Sequence, residues 1–379
     1  MKSISFVLPC LNEENTLPQV LSKITATCNG ELKNYQTEII LSDNGSTDRS
    51  IAIAESYGAR VEKCSTPGYG AALRYGISKA RNELIIFADA DATYDFSESL
   101  LLIAEIEKGY DLVIGSRLRG RIHKEAMPFL HRYLGTPLLN SLINQLFSHG
   151  ETRITDCNSG FRCFRKAAYD QWNIQSDGME YASEMLVRAM KANARISEVP
   201  ISLYPNSLGR KPHLRTWQDG MRHVLRILVD APFFFRKTGV CIFIASWVLL
   251  VICNFLPQGA DRSLIGIPAM LFALLGIVIG QMIWSTGLFI SIKDKSGQGI
   301  YLRIIQFSED TLLWVILGLL AVSLVALGLL ALNWISHSDN STFPRTAIIF
   351  LAVSIDALVA AAHLFAAHLL KRIPFSDAS

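Results

Sequence analysis

Beyond Arg236 and Lys237 the chain becomes four long apolar runs, at about 239–256, 264–290, 311–333 and 346–370. Each is near or above the roughly 20 residues that a helix needs to cross the hydrocarbon core of a bilayer. A water-soluble fold has no place for four such runs in succession, so residues 236–379 read as a transmembrane region. Lys and Arg in the flanks set its orientation. One side collects Arg236, Lys237, Lys293, Lys295, Arg303, Lys371 and Arg372, and the other only Arg262 and Arg345. The first side should be cytoplasmic. Four crossings also return the C-terminus to the side on which the chain begins. We therefore expect an integral, multi-pass membrane protein with its soluble domain and C-terminus cytoplasmic, in a bacterial inner membrane rather than the endoplasmic reticulum.

Up to about Asp230 the chain mixes charged and apolar residues as a globular domain does, and 1–230 is long enough to bury one α/β core. A basic amphipathic stretch near 213–230, with His213, Arg215, Arg222 and Arg226, leads into the membrane. The net charge of +3 is too small to argue for nucleic acid. The seven cysteines are scattered without zinc-site spacing, which fits free thiols in a reducing compartment. Met1-Lys2-Ser3 runs straight into a strand-like segment, so no signal peptide is expected.

Within 1–230, buried β-rich runs alternate with helical patterns. Ile4–Leu8, Glu38–Ser42, Arg60–Lys63, Leu84–Ala88 and Leu112–Ile114 read as strands. Thr16–Thr27, Thr47–Tyr57, Tyr69–Ala80 and Ser97–Lys108 read as helices. This alternation predicts βαβ units and a mostly parallel sheet, in which ligands bind beyond the carboxyl ends of the strands. Polar residues stand at those ends: Pro9 to Glu13, Asp43 to Ser46, Asp89 to Asp91 and Gly115 to Arg117. Any one of these loops could be ordinary cap chemistry; four together point to a site.

Asp89-Ala90-Asp91 carries the sharpest chemistry. Residues two apart in extended chain point the same way, so two carboxylates converge at the end of a buried strand. A hard divalent cation with diphosphate oxygens would satisfy both charges, and would neutralise the charge on a departing nucleotide diphosphate. After the strand ending at Ser42, Gly45 permits a tight turn and Ser46 or Thr47 can cap the following helix, or Asp43 at the sheet edge accepts hydrogen bonds from a nucleotide base. Gly68 and Gly70 open another helix, whose N-terminus favours phosphate.

Strand–Pro9-x-x-Asn12-Glu13, strand–Asp43-x-Gly45-Ser46-Thr47-Asp48, Gly68-x-Gly70-Ala71-Ala72-x-x-x-Gly76 and strand–Asp89-Ala90-Asp91 together resemble the inverting family-2 glycosyltransferases of GT-A fold. Val113–Arg117, Asp156–Arg162, Gly178–Glu180 and Leu208–Lys211 resemble the narrower group of polyprenyl-phosphate (dolichol-phosphate) sugar transferases. The resemblance implies an α/β fold: a GT-A-type nucleotide-sugar-binding domain followed by an all-α, four-helix transmembrane region. It implies Pro9, Asn12, Glu13, Asp43 and Gly70 on the donor, Asp89 touching the donor, and Asp91 with Asp89 holding Mg²⁺ or Mn²⁺. Arg117, Arg132, Arg210 and Lys211 would hold the acceptor phosphate. Apart from the resemblance, Asp156 is an available carboxylate before a Gly-rich turn, placed to orient the acceptor as a catalytic group. Two positions depart from the pattern. Thr93 stands where some relatives carry a Gln metal ligand, and Asn44 where many carry a second Asp.

The expected reaction is transfer of a hexose from a nucleotide-diphosphate sugar to a polyprenyl (undecaprenyl or dolichyl) phosphate at the cytoplasmic face, metal-dependent and inverting. A phosphate monoester is already anionic, so the lack of an evident histidine base is no obstacle. Arg117, Arg119, Arg121, Lys124 and Arg132 precede an apolar helical pattern, which favours a lipid–water interface over the alternative of a core helix beside a solvated loop. Two other functions stay open: a transferase extending a lipid-linked or cell-surface polysaccharide, and a non-enzymatic membrane scaffold or lipid-phosphate flippase component. The first lacks its usual Gln-x-x-Arg-Trp string here, and the intact Asp89/Asp91 pair argues against the second. A homo-oligomer is compatible with either. Glu184, on an amphipathic helix, reads as structural. Asp356, in the fourth run, should face a polar partner such as Gln281 or His363.

Overall fold

The strand β1 (Ser3–Cys10) is buried from Ile4 to Cys10 and is an interior strand, third in a seven-stranded sheet. In the computed structural model, residues 2–148, 152–206, 216–255, 267–293, 300–336 and 345–372 are described. The chain divides into two compact units, Met1–Asp230 and Ala231–Ser379.

In the first unit β1 is followed by α1 (Leu17–Asn29), β2 (Gln36–Asp43), α2 (Ser50–Ser56), β3 (Arg60–Lys63), α3 (Tyr69–Lys79), β4 (Leu84–Phe87) and α4 (Ser99–Glu107). Then come β5 (Leu112–Ile122), α5 (Thr136–Phe147), β6 (Arg162–Arg165), α6 (Lys166–Trp172), α7 (Tyr181–Lys191), β7 (Ile196–Leu203) and α8 (Thr216–Val229). The sheet order is β3-β2-β1-β4-β6-β5-β7. All pairings are parallel except the two that β6 makes, with β4 and with β5. The mostly parallel sheet is therefore as expected, with an antiparallel insertion at its centre. Pro9 is tolerated in this central strand because pairing with β4 stops at Val7.

Periodicity did not reveal β6 or β7. Arg162-Cys163-Phe164-Arg165 begins and ends in arginine, yet Arg162 is wholly buried. Its Nε, Nη1 and Nη2 donate to the carbonyls of Ser159 (3.0 Å), Ala182 (2.8 Å) and Cys157 (2.7 Å), and its guanidinium lies 5.9 Å from the centre of the Phe87 ring. A buried cation is tolerated when its donors are satisfied in this way. The consequence is positional: antiparallel pairing sets Arg162 opposite Phe87, so the segment before β6 arrives at the carboxyl end of β4.

The second unit holds α9 (Pro232–Phe255), α10 (Ile267–Lys293), α11 (Ile300–Gln306), α12 (Glu309–Ser336) and α13 (Arg345–Arg372). Among the described residues four helices are long and apolar enough to cross a membrane, within α9, α10, α12 and α13. α9 starts earlier than the apolar run, because Arg236 and Lys237 continue the helix. α9 and α10 approach closely at Gly239 and Gly280: a Cβ on Gly239 would stand 2.7 Å from the Gly280 carbonyl oxygen. Small residues at such crossings replace the hydrophobic drive that lipid removes. Polar side chains lie between helices, Ser323 with Ser354 and Ser285 with His363, both at 2.9 Å. Gln281 does meet Asp356, but its amide donates to the Asp356 backbone carbonyl (3.0 Å) rather than to the carboxylate.

Candidate active site

The strands β1, β2 and β4 end side by side, and their terminal loops are tied into one rim. At the end of β2, Asp43 is almost wholly buried, and its two oxygens accept the amides of Gly45 (3.2 Å) and Ser46 (3.1 Å). This turn is possible because Gly45 has φ +96°. At the end of β1, Asn12 adopts φ +58°, a conformation that asparagine tolerates. Its Oδ1 accepts the Thr47 amide (2.8 Å), and its own amide donates to Ser46 Oγ (3.0 Å). Glu13 is buried and accepts from Thr16 Oγ1 (3.0 Å), which also lies 2.8 Å from the Ala90 carbonyl. Thr16 thus joins the β1 rim to the Asp89–Asp91 turn. The structure brings Pro9, Asn12, Glu13, Asp43, Asp89 and Asp91 to one edge of the sheet.

Asn44 shows why it departs from the family's Asp. Its Nδ2 donates to the Thr66 carbonyl (2.7 Å), and its Oδ1 accepts the Gly68 amide (2.7 Å). Only an amide can do both. This holds the loop before α3 and thereby the next residue of interest, Tyr69.

Tyr69 is the largest omission of the sequence reading. Its hydroxyl donates to Asp89 Oδ1 at 2.8 Å. Burial, and then the neighbouring Asp89 charge, push its pKa well above the ordinary tyrosine range, so it remains a donor. On the other side, Gly160 makes room. A Cβ there would stand 2.3 Å from Asp89 Oδ2. The Gly160 amide donates to the buried Tyr94 hydroxyl (3.0 Å). The D-C-N-S-G-F-R segment thus acts on Asp89 through its glycine.

Asp91 Oδ1 accepts from Thr93 Oγ1 (2.6 Å) and the Thr93 amide (3.2 Å). Thr93 orients Asp91 from behind, a role different from the ligand role its position suggests. Ala92, between them, has φ +61°. A left-handed non-glycine residue stores of order 1–3 kcal/mol, which is found where a turn must present particular side chains. Asp89 and Asp91 are both partly open to solvent. Among the described residues no group of three or more His, Cys, Asp or Glu could hold a metal by itself. Two hard carboxylates suit an ion such as Mg²⁺, which binds through one or two carboxylates and completes its shell with water and phosphate oxygens.

Two expectations change. Asp156 is fully buried, and the Arg117 guanidinium grips it with Nε and Nη2, each at 2.7 Å. The Arg117 amide adds a third bond at 2.9 Å. Asp156 is thus enclosed by Arg117 and not open to solvent at the rim, and we propose a structural role for it in place of the catalytic one expected. Burial opposes the Arg117 charge, but Asp156 outweighs it and holds the guanidinium firmly protonated. Glu198 of β7 secures the same turn, accepting Thr155 Oγ1 (2.6 Å) and the Thr155 and Asp156 amides. Gly70 packs against the loop before α7, where a Cβ would stand 2.4 Å from the Ser176 carbonyl oxygen; contact with backbone explains this glycine without a phosphate. Arg132 lies over its neighbour Tyr133, 5.3 Å from the ring centre. Arg210 and Lys211 lie outside the described residues.

The profile of Glycosyl transferase family 2 matches residues 5–171, which contain every rim residue described above. An uncharacterized glycosyltransferase of Mycobacterium tuberculosis is 32% identical over 209 residues, 55% of this chain and 88% of that protein. The chain belongs to glycosyl transferase family 2. Other family relatives extend further along it. The low-salt glycan biosynthesis hexosyltransferase Agl6 of Haloferax volcanii is 34% identical over 279 residues, 73% of this chain but only 61% of its own length. A dolichol-phosphate mannosyltransferase of Pyrococcus furiosus is 23% identical over 315 residues, 80% of this chain and 85% of that one. In fold, the family-2 domain is similar to a mycobacterial protein of known crystal structure, at TM-score 0.51 and 21% identity, over 61% of this chain and 75% of that one.

Proposed function

We propose that this family-2 member transfers a hexose from a nucleotide-diphosphate sugar to a polyprenyl phosphate at the cytoplasmic membrane face, with Mg²⁺ or Mn²⁺. The carrying observation is the half-open Asp89/Asp91 pair, held from both sides at the end of β4, in a chain with four membrane-length helices. The match to the dolichol-phosphate mannosyltransferase supports a lipid-phosphate acceptor. Its 315 residues exceed the 230 of the first unit, so the similarity reaches the membrane helices as well. The Agl6 match supports a hexosyl donor.

In this reading Asn12 and Asp43 frame the nucleoside side of the rim, and each Asp43 oxygen keeps a lone pair beyond its turn amide. Asp89 and Asp91 would hold the metal, which supplies charge neutralisation for the departing diphosphate. Tyr69 and Gly160 fix Asp89, and Thr93 fixes Asp91. The acceptor phosphate is its own nucleophile, which fits a rim without a histidine. Purified full-length chain, supplied with labelled UDP- and GDP-hexoses and polyprenyl phosphate, should yield product extractable into organic solvent. EDTA should abolish the transfer, Mn²⁺ should restore it, and Asp91→Ala should lose it while retaining the fold. Full transfer by Asp91→Ala would overturn the metal assignment.

A further inference from the structure

The segment between β5 and α5 carries an apolar stripe turned away from the core. Leu130, Tyr133, Leu134, Pro137 and Leu138 are all exposed and follow the i, i+3, i+4, i+7, i+8 spacing of one helical face. Phe129 joins them, 77% exposed, with its ring centre 4.7 Å from that of Tyr133. Tyr133, Leu134 and Leu138 are 59%, 56% and 60% exposed. The opposite face of α5 is committed to the domain: Thr136, Leu139, Asn140, Ile143 and Phe147 are buried. Fold stability therefore accounts for one side of this helix and leaves the other unexplained. A π-helical turn at His131–Gly135 carries the stripe, and such turns are often placed at functional sites.

Charge identifies the occupant. Between residues 118 and 138 stand four cations, Arg119, Arg121, Lys124 and Arg132, against the single acid Glu125, while Arg117 before them is already paired with Asp156. An apolar stripe beside a cluster of Lys and Arg fits the interface of an anionic bilayer, with rings at headgroup depth and cations on phosphates. The partner is always near, because the first membrane-length helix begins at Pro232, immediately after this unit ends at Asp230. We propose that the Phe129–Leu138 face is a membrane-docking wedge of the catalytic unit itself, separate from its transmembrane helices, inserted into the acyl–headgroup boundary of an anionic leaflet. The wedge would place the end of β5, with Arg117, close to lipid phosphates, whichever acceptor the enzyme uses.

The test uses full-length protein in phosphatidylglycerol-containing vesicles. Cys28 and Cys241 are replaced by Ser, and single nitroxide labels are placed at 129, 134 or 138, or at the exposed control positions Glu31 and Glu55. Labels at the wedge should relax more with oxygen than with an aqueous nickel chelate, and the controls should show the reverse. In purely phosphatidylcholine vesicles the oxygen preference at 129 should shrink, while a label at Leu324 on α12 is unchanged. Aqueous accessibility at 129, 134 and 138 would overturn the proposal. Shielding from both reagents would also overturn it, since that marks a face covered by protein, such as a second copy. The readout needs no turnover, so it stands or falls apart from the assigned reaction.

Discussion

Replacing Asp156 separates a structural anion from a catalytic one. The carboxylate is fully buried and accepts three N–H groups of Arg117, whose side chain is only 13% exposed. In Asp156→Asn the shape survives, but the amide presents donors to donors and leaves the guanidinium uncompensated. Breaking a buried pair from one side costs about 3–5 kcal/mol. For a unit of 230 residues each kcal/mol lowers the melting temperature by about 2–4 °C, so the loss should be roughly 6–20 °C. Arg117→Lys keeps the charge but not the fork, and one charge-assisted hydrogen bond is worth about 1.5–3 kcal/mol. It should fall between the parent and Asp156→Asn. The double variant Arg117→Met/Asp156→Leu removes both charges and should recover much of the stability, giving a large coupling in the double-mutant cycle. Thermal unfolding of detergent-purified full-length variants, followed by intrinsic fluorescence, measures all four. If Asp156→Asn melts within about 2 °C of the parent yet abolishes transfer, Asp156 acts on substrate and the clamp reasoning is refuted.

Tyr69→Phe removes the hydroxyl that donates to Asp89 and should weaken Mn²⁺ binding by about ten- to a hundredfold, the value of one charge-assisted bond, with little change in melting; calorimetric Mn²⁺ titration reads this, and unaltered affinity would remove Tyr69 from the site. Gly160→Ala should displace the Asp89 carboxylate and suppress transfer at least tenfold while the domain still folds, since the added methyl would meet Asp89 Oδ2; a fully active variant would contradict the packing. Burial holds His223 down at about 4 in the folded protein, so the unfolded chain takes up its proton first. This stability is full above about pH 6.5 and falls by about 2–3 kcal/mol towards pH 4, which pH-dependent melting of His223→Gln against the parent should reveal as a flatter acid limb.

The legible part of this protein was written in short-range chemistry. The strands β1, β2 and β4 carry apolar runs ended by polar turns, so their existence, a mostly parallel sheet and the residues at their tips could be read directly. The membrane helices were equally plain, because length and hydropathy decide them. What stayed hidden depends on contacts between distant residues. β6 opens with an arginine that looks solvent-facing until three backbone carbonyls converge on it. Tyr69 sat inside a glycine-rich string that invited a phosphate reading, and only tertiary packing turns its hydroxyl toward Asp89. Asp156 looked catalytic because polar residues before a glycine-rich turn often are, but nothing local shows that Arg117 closes on it from 39 positions away.

These hidden contacts share one geometric cause. A wholly parallel sheet would place β5 directly beside β4, and the segment 156–160 would have no path to the rim at Asp89. The antiparallel β6 inserts between them and delivers Gly160 against Asp89 in the same stroke that buries Arg162 behind Phe87. Arg117, at the far side of β6, is then held by Asp156 from that same segment. One inserted strand thus links the carboxylate proposed to meet the metal with an arginine expected at the acceptor phosphate. A change in the 156–162 segment should consequently disturb both ends of the reaction, whereas a change at Asn12 or Asp43 should disturb the donor end alone.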